Sequence, residues 1–461
     1  QVRNDFEGYI QEPGRLSQGI SAKPRLALRE RDSKFFKEYV QGFKFDELFS
    51  LDTAQLEEPQ QNIQRNAFLL KAKLESTFHN DLNDLIKFGA CLVQKCYLVV
   101  VSTPTQQSAF RVFSVLNSRG LDLLPTDIIK SDVIGQIDNT RQEYFTSKWE
   151  ELEVKTGRAG FTELFSHIRM IYAQTKSKRS LLEEFKEHVI GKVTSSEKLI
   201  ENIIEPFAEA YLTVRECNYV STADADKIND LLRWLNKIDN SDWIPSAILF
   251  LADKGKSSDE ILMFLTKLER LTAFMHLCAK NVNQRIERYS LVLKELTSEP
   301  SFKMPVRSLE LTQNEIDELT DVLASDIYKL TARRRNYLIL RLDSLLSDGA
   351  ATYNPAILTI EHVLPQTVTS GSIWEQVWPD EKVREEWVHK LANLVPLTLR
   401  RNAAASNFEF DHKKRAYFGG RQGVSSYILT TQVLNTAEWT PDTVKERQDA
   451  LLNTLKEAWE L

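Results

Sequence analysis

Continuous helical periodicity over residues 136–305 is the feature that most constrains this chain. Apolar residues recur every three or four positions in nearly every segment of this range, for example in residues 199–211 and 262–278. The 461 residues include only 16 Gly and 14 Pro, which disfavours turn-rich β-sandwiches and propellers. No repeat of fixed period is found, so a solenoid has little support. The sequence therefore predicts a mainly α protein with small α+β parts.

Charge and composition narrow the classes of function. The chain has 59 basic and 65 acidic residues, a net charge of -6, so any surface that binds nucleic acid must be local. Its apolar runs are far shorter than the roughly 20 residues that a membrane helix needs. No signal peptide is visible, and the four cysteines form no CxxC pair. We expect a cytoplasmic protein that contacts no membrane and keeps its cysteines as reduced core thiols.

The last third of the chain changes character after residue 348. A β-leaning run at residues 357–360 leads into Glu361-His362, and a Trp-rich stretch follows. A second β-leaning run covers residues 393–399, and a polar helix is predicted near residues 407–417. The predicted order is strand, excursion, strand, helix.

Residues 361–415 contain the side chains that metal-assisted phosphodiester hydrolysis requires, namely a base, oxygen ligands and cations. His362 is the candidate base, because the unperturbed pKa of imidazole lies near neutrality. Glu361 and Asn402 are candidate oxygen ligands for Mg²⁺ or Mn²⁺. The predicted DNA-binding cations, for which a solvated helix face is the alternative, are Arg400, Arg401, Lys413, Lys414 and Arg415.

The same segment resembles the ββα-metal fold of HNH endonucleases. The residues that carry the resemblance are the run Glu361-His362-Val363-Leu364-Pro365, then Asn393-Leu394, then Asn402 nine positions after Asn393. The resemblance implies that His362 is the base, that Glu361 and Asn402 bind the metal, and that Asn393 pins the loop carrying the histidine. The chain departs from the family in having Glu where Asp is commoner and in lacking the cysteine pairs of a structural zinc. An isolated histidine at a strand end would favour a structural role, whereas the asparagine spacing favours a nuclease site.

The front of the chain resembles GmrSD-type modification-dependent (type IV) restriction endonucleases. Residues 113–123 and 126–130 are similar to the end of their ParB/sulfiredoxin-like domain, and residues 407–414 are similar to the end of their nuclease domain. In that family a nucleotide-handling domain is joined through a helical middle to a C-terminal HNH nuclease. The resemblance therefore predicts three domains. They are the C-terminal part of the ParB/sulfiredoxin-like domain at 1–135, a helical middle domain at 136–305 and the HNH nuclease domain at 306–461.

The nucleotide site implied by the resemblance is incomplete in this sequence. Asn117, Arg119 and Lys130 are candidates to contact nucleotide or DNA, and their alternative roles are a helix cap and surface charges. The family's acidic-Gly-Gln-Gln-Arg motif is not found and should precede residue 1. The chain opens on Gln1 without an initiator Met, which suggests that it is the remainder of a longer polypeptide. We therefore expect these residues alone to hydrolyse nucleotide poorly, with a nucleoside triphosphate as a candidate effector.

The two resemblances together predict a metal-dependent DNA endonuclease of a phage-defence restriction system. It would cleave modified phage DNA under the control of a nucleotide-sensing N-terminal domain. Two alternatives stay open, a non-enzymatic nucleic-acid binder on a degenerate HNH scaffold and a metal-dependent RNase effector. The middle helices could equally form a homodimer, and the sequence does not distinguish these cases.

Overall fold

A computed structural model shows a mainly α protein with small antiparallel strand pairs, as the sequence predicted. The residues that it describes are 2–14, 17, 19–97, 102, 124–298, 305–347, 358–398, 407–418 and 427–461. No helix in these ranges is long and apolar enough to cross a membrane. The chain divides into two compact units, the first with residues 1–163 and 193–201 and the second with residues 164–192 and 202–461.

The first unit is built from helices and one short strand pair in its described part. Strands β1 (Gln11–Glu12) and β2 (Lys23–Pro24) pair in antiparallel register. Its helices are α1 Val2–Ile10, α2 Glu30–Phe35 with a π-helical continuation at Phe36–Gln41, α3 Phe45–Ser50, α4 Glu58–Phe78, α5 Leu82–Lys95, α6 Pro125–Ile134 and α7 Asn139–Thr156.

A helix break at His79 and Asn80 separates α4 from α5. Both residues have positive φ angles, 47° and 60°, which end the first helix. The carboxylate of Asp81 then accepts a hydrogen bond from the backbone N–H of Asp84 at 3.0 Å and caps the next helix. The apolar period of residues 69–90 predicts one amphipathic helix, and this prediction is wrong, because a short Asn-Asp signal within the range starts a new helix.

Helix α6 begins at Pro125, as the sequence predicted. Proline suits a first helical turn, and the carboxylate of Asp127 accepts from the backbone N–H of Leu124 at 2.9 Å. Ile129 and Val133 supply its buried face. The β-branched run at residues 97–101 predicts a strand, and residues 106–116 have the pattern of a helix. The first range lies almost wholly, and the second wholly, outside the described residues.

The cysteines differ from the expectation of core thiols. All four are free, and Cys91 and Cys96 are exposed, whereas Cys217 and Cys278 are half-buried. Cys91 lies within α5, and Cys96 directly follows its last residue. The prediction of four buried cysteines is therefore wrong for Cys91 and Cys96.

The second unit contains the middle helices and the whole described C-terminal part. The chain reaches it through α8 Arg158–Ala173, α9 Leu181–His188 and α10 Ser196–Leu199, which continues as a π-helix at Ile200–Ile204. The helices that follow are α11 Glu205–Glu216, α12 Ala225–Asn236, α13 Ile244–Leu251, α14 Ser258–Leu277, α15 Val282–Thr297, α16 Gln313–Ala324, α17 Ala332–Leu346, α18 Ile373–Val377, α19 Glu381–Trp387, α20 Phe410–Phe418, α21 Ile428–Leu434 and α22 Pro441–Trp459.

A strand pair followed by a helix forms the end of this unit. Strand β3 (Leu358–His362) runs antiparallel to β4 (Leu394–Thr398), with His362 opposite Leu394. Helices α18 and α19 lie between the strands in sequence, and α20 follows β4. The observed order matches the predicted strand, excursion, strand and helix. The Trp-rich stretch supplies packing, since Trp374 and Trp378 are buried in the core under these strands.

A buried carboxylate ties the middle helices to the C-terminal part. Glu269 on α14 accepts hydrogen bonds from Tyr337 and Arg341 on α17, each at 3.0 Å, and from the indole of Trp459 on α22 at 2.9 Å. Burying a charge is costly unless it is paired, so these hydrogen bonds hold α14, α17 and α22 together. The second compact unit accordingly includes α14 and the C-terminal helices that contact it.

Candidate active site

His362 occupies the last position of β3. The backbone N–H of the next residue, Val363, donates to the carbonyl of Asn393 at 2.9 Å, so the chain leaving the strand stays attached to the start of β4. Val363 and Leu364 are fully buried in the core. This packing fixes the backbone that carries His362, whose side chain is only 5% exposed.

Asn393 uses every hydrogen-bonding position of its buried amide. Its Oδ1 accepts from the backbone N–H of Leu364 at 2.7 Å and from the indole N–H of Trp439 at 3.0 Å. Its Nδ2 donates to the carbonyls of Leu364 at 3.0 Å and Val388 at 2.8 Å. An amide with two donors and one acceptor oxygen is thereby satisfied on all sides. The structure thus places Asn393 where it holds the loop after His362.

The imidazole of His362 lies in a chain of side-chain contacts. Its Nε2 is 3.2 Å from Nδ1 of His389, and its Nδ1 is 3.2 Å from Nε2 of Gln366. The ring of Tyr328 stands edge-on to it, with centroids 4.1 Å apart. Burial, and then the nearby His389, Lys413 and Arg335, lower the pKa of His362 to about 3. The ring is therefore neutral at physiological pH and has one nitrogen lone pair.

Tyr328 supports both histidines. Its ring is stacked nearly parallel on that of His389, at 10° and 5.6 Å, and its backbone N–H donates to the carbonyl of His389 at 3.2 Å. Arg335 on α17 lies over the other side of Tyr328, with its guanidinium carbon 4.4 Å from the ring centroid, and donates to the Tyr328 carbonyl at 2.8 Å. The sequence alone favours a surface position for His389, because no local motif relates it to a histidine 27 positions away.

Glu361 faces a different partner, Lys413 on α20. The Lys413 ammonium donates to Oε1 of Glu361 at 2.7 Å and to the backbone carbonyl of His362 at 2.6 Å. Lys413 is 1% exposed. Burial raises the pKa of Glu361 and lowers that of Lys413, and each partner opposes the shift of the other. This burial corrects the prediction that Lys413 contacts DNA phosphate, since its ammonium is used inside the protein.

A divalent metal ion at Glu361 would need several oxygen ligands that are free to coordinate it. The carboxylate of Glu361 is already paired with an ammonium. In the described ranges no group of three or more His, Cys, Asp or Glu side chains could hold a metal ion. Asn402, the second predicted ligand, lies outside the described residues. The described side chains do not fit a metal centre at Glu361, and we assign no catalytic step to a metal ion.

Two of the predicted DNA-binding cations, Lys414 and Arg415, lie at the surface of α20. Lys414 donates to the carbonyl of Thr436 at 3.2 Å and its ammonium is 4.6 Å from the ring centroid of Phe410. Arg415 is exposed and donates only within its own helix, to the carbonyl of Asp411 at 3.2 Å. Arg415 is therefore the more accessible of the two. Arg400 and Arg401 lie outside the described residues.

Of the three residues predicted to contact nucleotide, the structure describes only Lys130. Its ammonium is 2.8 Å from Oε1 of Glu150 and lines a cavity of about 450 Å³ in the first unit. Glu153 lines the same cavity, and burial raises its pKa. Lys130 is thus already paired with a carboxylate. Asn117 and Arg119 lie outside the described residues.

Comparison with known families identifies the chain at both ends. The N-terminal domain of GmrSD restriction endonucleases matches residues 10–134, and their C-terminal domain matches residues 313–454. The two matches together span more than half of the sequence. No curated protein and no solved structure matches it. The chain therefore belongs to the GmrSD restriction endonucleases, nucleases of phage defence whose substrate is DNA.

Proposed function

We propose that this chain cuts DNA through an HNH-type site in which His362 is the general base. The observation that supports the assignment is the position of His362. It ends the first strand of a strand-strand-helix unit, and the buried amide of Asn393 holds the loop behind it. Its ring is neutral, because burial lowers its pKa to about 3. A base must be unprotonated before the reaction, as this ring is, while the lowered pKa makes it a weaker proton acceptor; the position of His362 therefore carries the assignment.

The reaction proposed at this histidine is the hydrolysis of a phosphodiester. The lone pair of His362 takes a proton from water, and the water oxygen bonds to phosphorus. The bond from phosphorus to the leaving sugar oxygen breaks, and that oxygen keeps the electron pair and takes a proton from solvent. Asn393 contributes by keeping the histidine loop in place. Dependence on Mg²⁺ or Mn²⁺ is proposed separately, from the family in general and not from the described side chains at Glu361, which do not form a metal centre.

Modified phage DNA is the proposed substrate, and nucleotide is the proposed effector. The match to the family's N-terminal domain over residues 10–134 supports a separate regulatory part. We propose that nucleotide binds to this part near Lys130. Hydrolysis of nucleotide by the 461 residues alone should stay low. Saturating ATP or GTP with measurement of released phosphate tests this statement, and rapid turnover would contradict it.

The central experiment digests two DNAs with the 461-residue chain. Modified bacteriophage DNA and unmodified plasmid DNA are incubated with and without Mg²⁺ and with and without nucleotide. We expect Mg²⁺-dependent cleavage of the modified DNA, strongest with nucleotide, and none by His362→Ala. His412→Ala, which changes an exposed histidine on α20, is the matched control. DNA binding without any cleavage would instead favour a degenerate binding protein, and cleavage of RNA alone would favour an RNase effector.

A further inference from the structure

His389, the histidine in contact with the proposed base, takes no part in the hydrolysis step itself. We propose that His389 is a positioning residue for His362: it accepts the Nε2 proton of His362 and thereby keeps the lone pair of Nδ1 directed toward Gln366, where the attacking water would be held. This inference rests on the proposed function, since it concerns the same base. It adds a residue that no motif in the chain identifies.

The hydrogen-bond partners define where the protons lie. With the amide nitrogen of Gln366 facing the ring, 3.2 Å from Nδ1 of His362, we assign Gln366 as the donor and Nδ1 as the acceptor. A neutral imidazole has one N–H, which then lies on Nε2 and donates to Nδ1 of His389 at 3.2 Å. His389 in turn carries its own proton on Nε2. One tautomer of each ring satisfies all of these contacts.

The packing around His389 keeps it from turning away. Its ring lies parallel to that of Tyr328, and its backbone carbonyl accepts from the Tyr328 N–H at 3.2 Å. Arg335 holds Tyr328 from the opposite side, by a hydrogen bond of 2.8 Å to its carbonyl. The acceptor for His362 is therefore supported by two further residues. A histidine on a free surface loop would have no such support.

Gln366 lies on the solvent side of the same ring. His362 is buried, whereas Gln366 is exposed, so the amide covers the one nitrogen of His362 that has a lone pair. A water molecule that replaces this amide would donate its hydrogen bond to Nδ1 from the same direction. When that water gives up its proton, its oxygen bonds to phosphorus and the new N–H forms on Nδ1. The Nε2–H bond to His389 persists throughout the step.

Three substitutions at full length separate positioning from a merely structural role. His389→Ala removes the acceptor, and His389→Asn supplies an amide oxygen near the former Nδ1 position. We expect His389→Ala to lower kcat about 10- to 100-fold with little change in KM, because small misplacements of a catalytic group cost up to about 10²-fold. His389→Asn should recover most of that loss. His412→Ala should leave cleavage unchanged.

Nuclear magnetic resonance of the ¹⁵N-labelled histidine rings gives a readout that does not depend on activity. We expect the Nε2–H tautomer for His362 in the wild-type chain and in His389→Asn, and a mixture of tautomers in His389→Ala. The Nδ1–H tautomer in the wild type would overturn the inference. So would equal kcat for wild type and His389→Ala when His362→Ala is inactive. If His362→Ala itself cuts normally, the proposed function fails, and the tautomer measurement still reports the His389 contact.

Discussion

Glu361 and His362 are neighbours on β3, yet their side chains meet different kinds of partner. Side chains alternate between the two faces of a strand, so adjacent residues are directed to opposite sides. Glu361 pairs with the buried ammonium of Lys413 on α20, while His362 contacts His389, Gln366 and Tyr328. The side of Glu361 has an ion pair that connects β3 to α20, and the side of His362 has a chain of uncharged side chains. One face of this dipeptide therefore carries a buried ion pair, and the other carries the proposed base.

The largest expected effect is on the histidine side of this comparison. His362→Ala should lower the rate of DNA cleavage by about 10² to 10⁴, because that is what a positioned base typically contributes. The variant should stay folded with a lower unfolding midpoint, because the buried contacts of the ring with Tyr328 and His389 are lost. Single-turnover cleavage rates and urea unfolding measure the two quantities. Wild-type cleavage by this variant would end the assignment of His362 as the base.

The carboxylate side should respond in the opposite way, with a loss of stability. Lys413→Ala leaves the buried carboxylate of Glu361 without its cation, and breaking such a pair costs about 3–5 kcal/mol in the free energy of unfolding. The combined change Glu361→Leu with Lys413→Met should restore most of it, because neither charge is then buried. Urea unfolding of the single and double variants tests this expectation. Lys414→Ala, on the outer side of the same helix, is the control and should change stability by less than about 1 kcal/mol.

The free energy of unfolding should depend on pH because His362 is neutral in the folded protein. Its pKa is about 3 in the folded protein and 6.5 when unperturbed, so between these values the unfolded chain binds the proton and the folded chain does not. Stability should therefore fall as the pH decreases from 6.5 toward 3, by about 2 kcal/mol between pH 6.5 and 4.5. Comparing the unfolding free energy of the wild type with that of His362→Gln isolates this contribution. An identical pH slope in the two proteins would show that His362 is not held neutral.

The smallest effect concerns the exposed cations beyond Lys413. Arg415→Gln should reduce the salt slope of DNA binding by about 0.9 and weaken all sequences alike, because each phosphate contact releases a counterion. Lys414→Gln should act less, since its ammonium is only partly accessible. Lys445→Gln, an exposed lysine on α22, is the control. An unchanged slope would mean that this face of α20 is solvated and carries no DNA.

Local patterns predicted much of the second unit. The β-leaning runs around Glu361 and Leu394 form a pair, because alternation and β-branched content are properties of a few adjacent residues. Pro125 marked a helix start for the same reason. The break at His79 was missed although its signal is also local, because a short capping sequence was outweighed by the longer apolar period.

Sequence by itself determined that the chain is mainly helical, that a strand pair precedes a helix near its end, and that Glu361, His362 and Asn393 fall at the junctions. Only the tertiary structure decided what surrounds them. Lys413 reaches Glu361 from 52 positions away, and His389 reaches His362 from 27 positions away. Burial and charge pairing depend on residues that meet only through folding. The sequence pattern therefore favours a surface position for Lys413 and His389, whereas the folded chain buries Lys413 beside Glu361 and places His389 beside the proposed base.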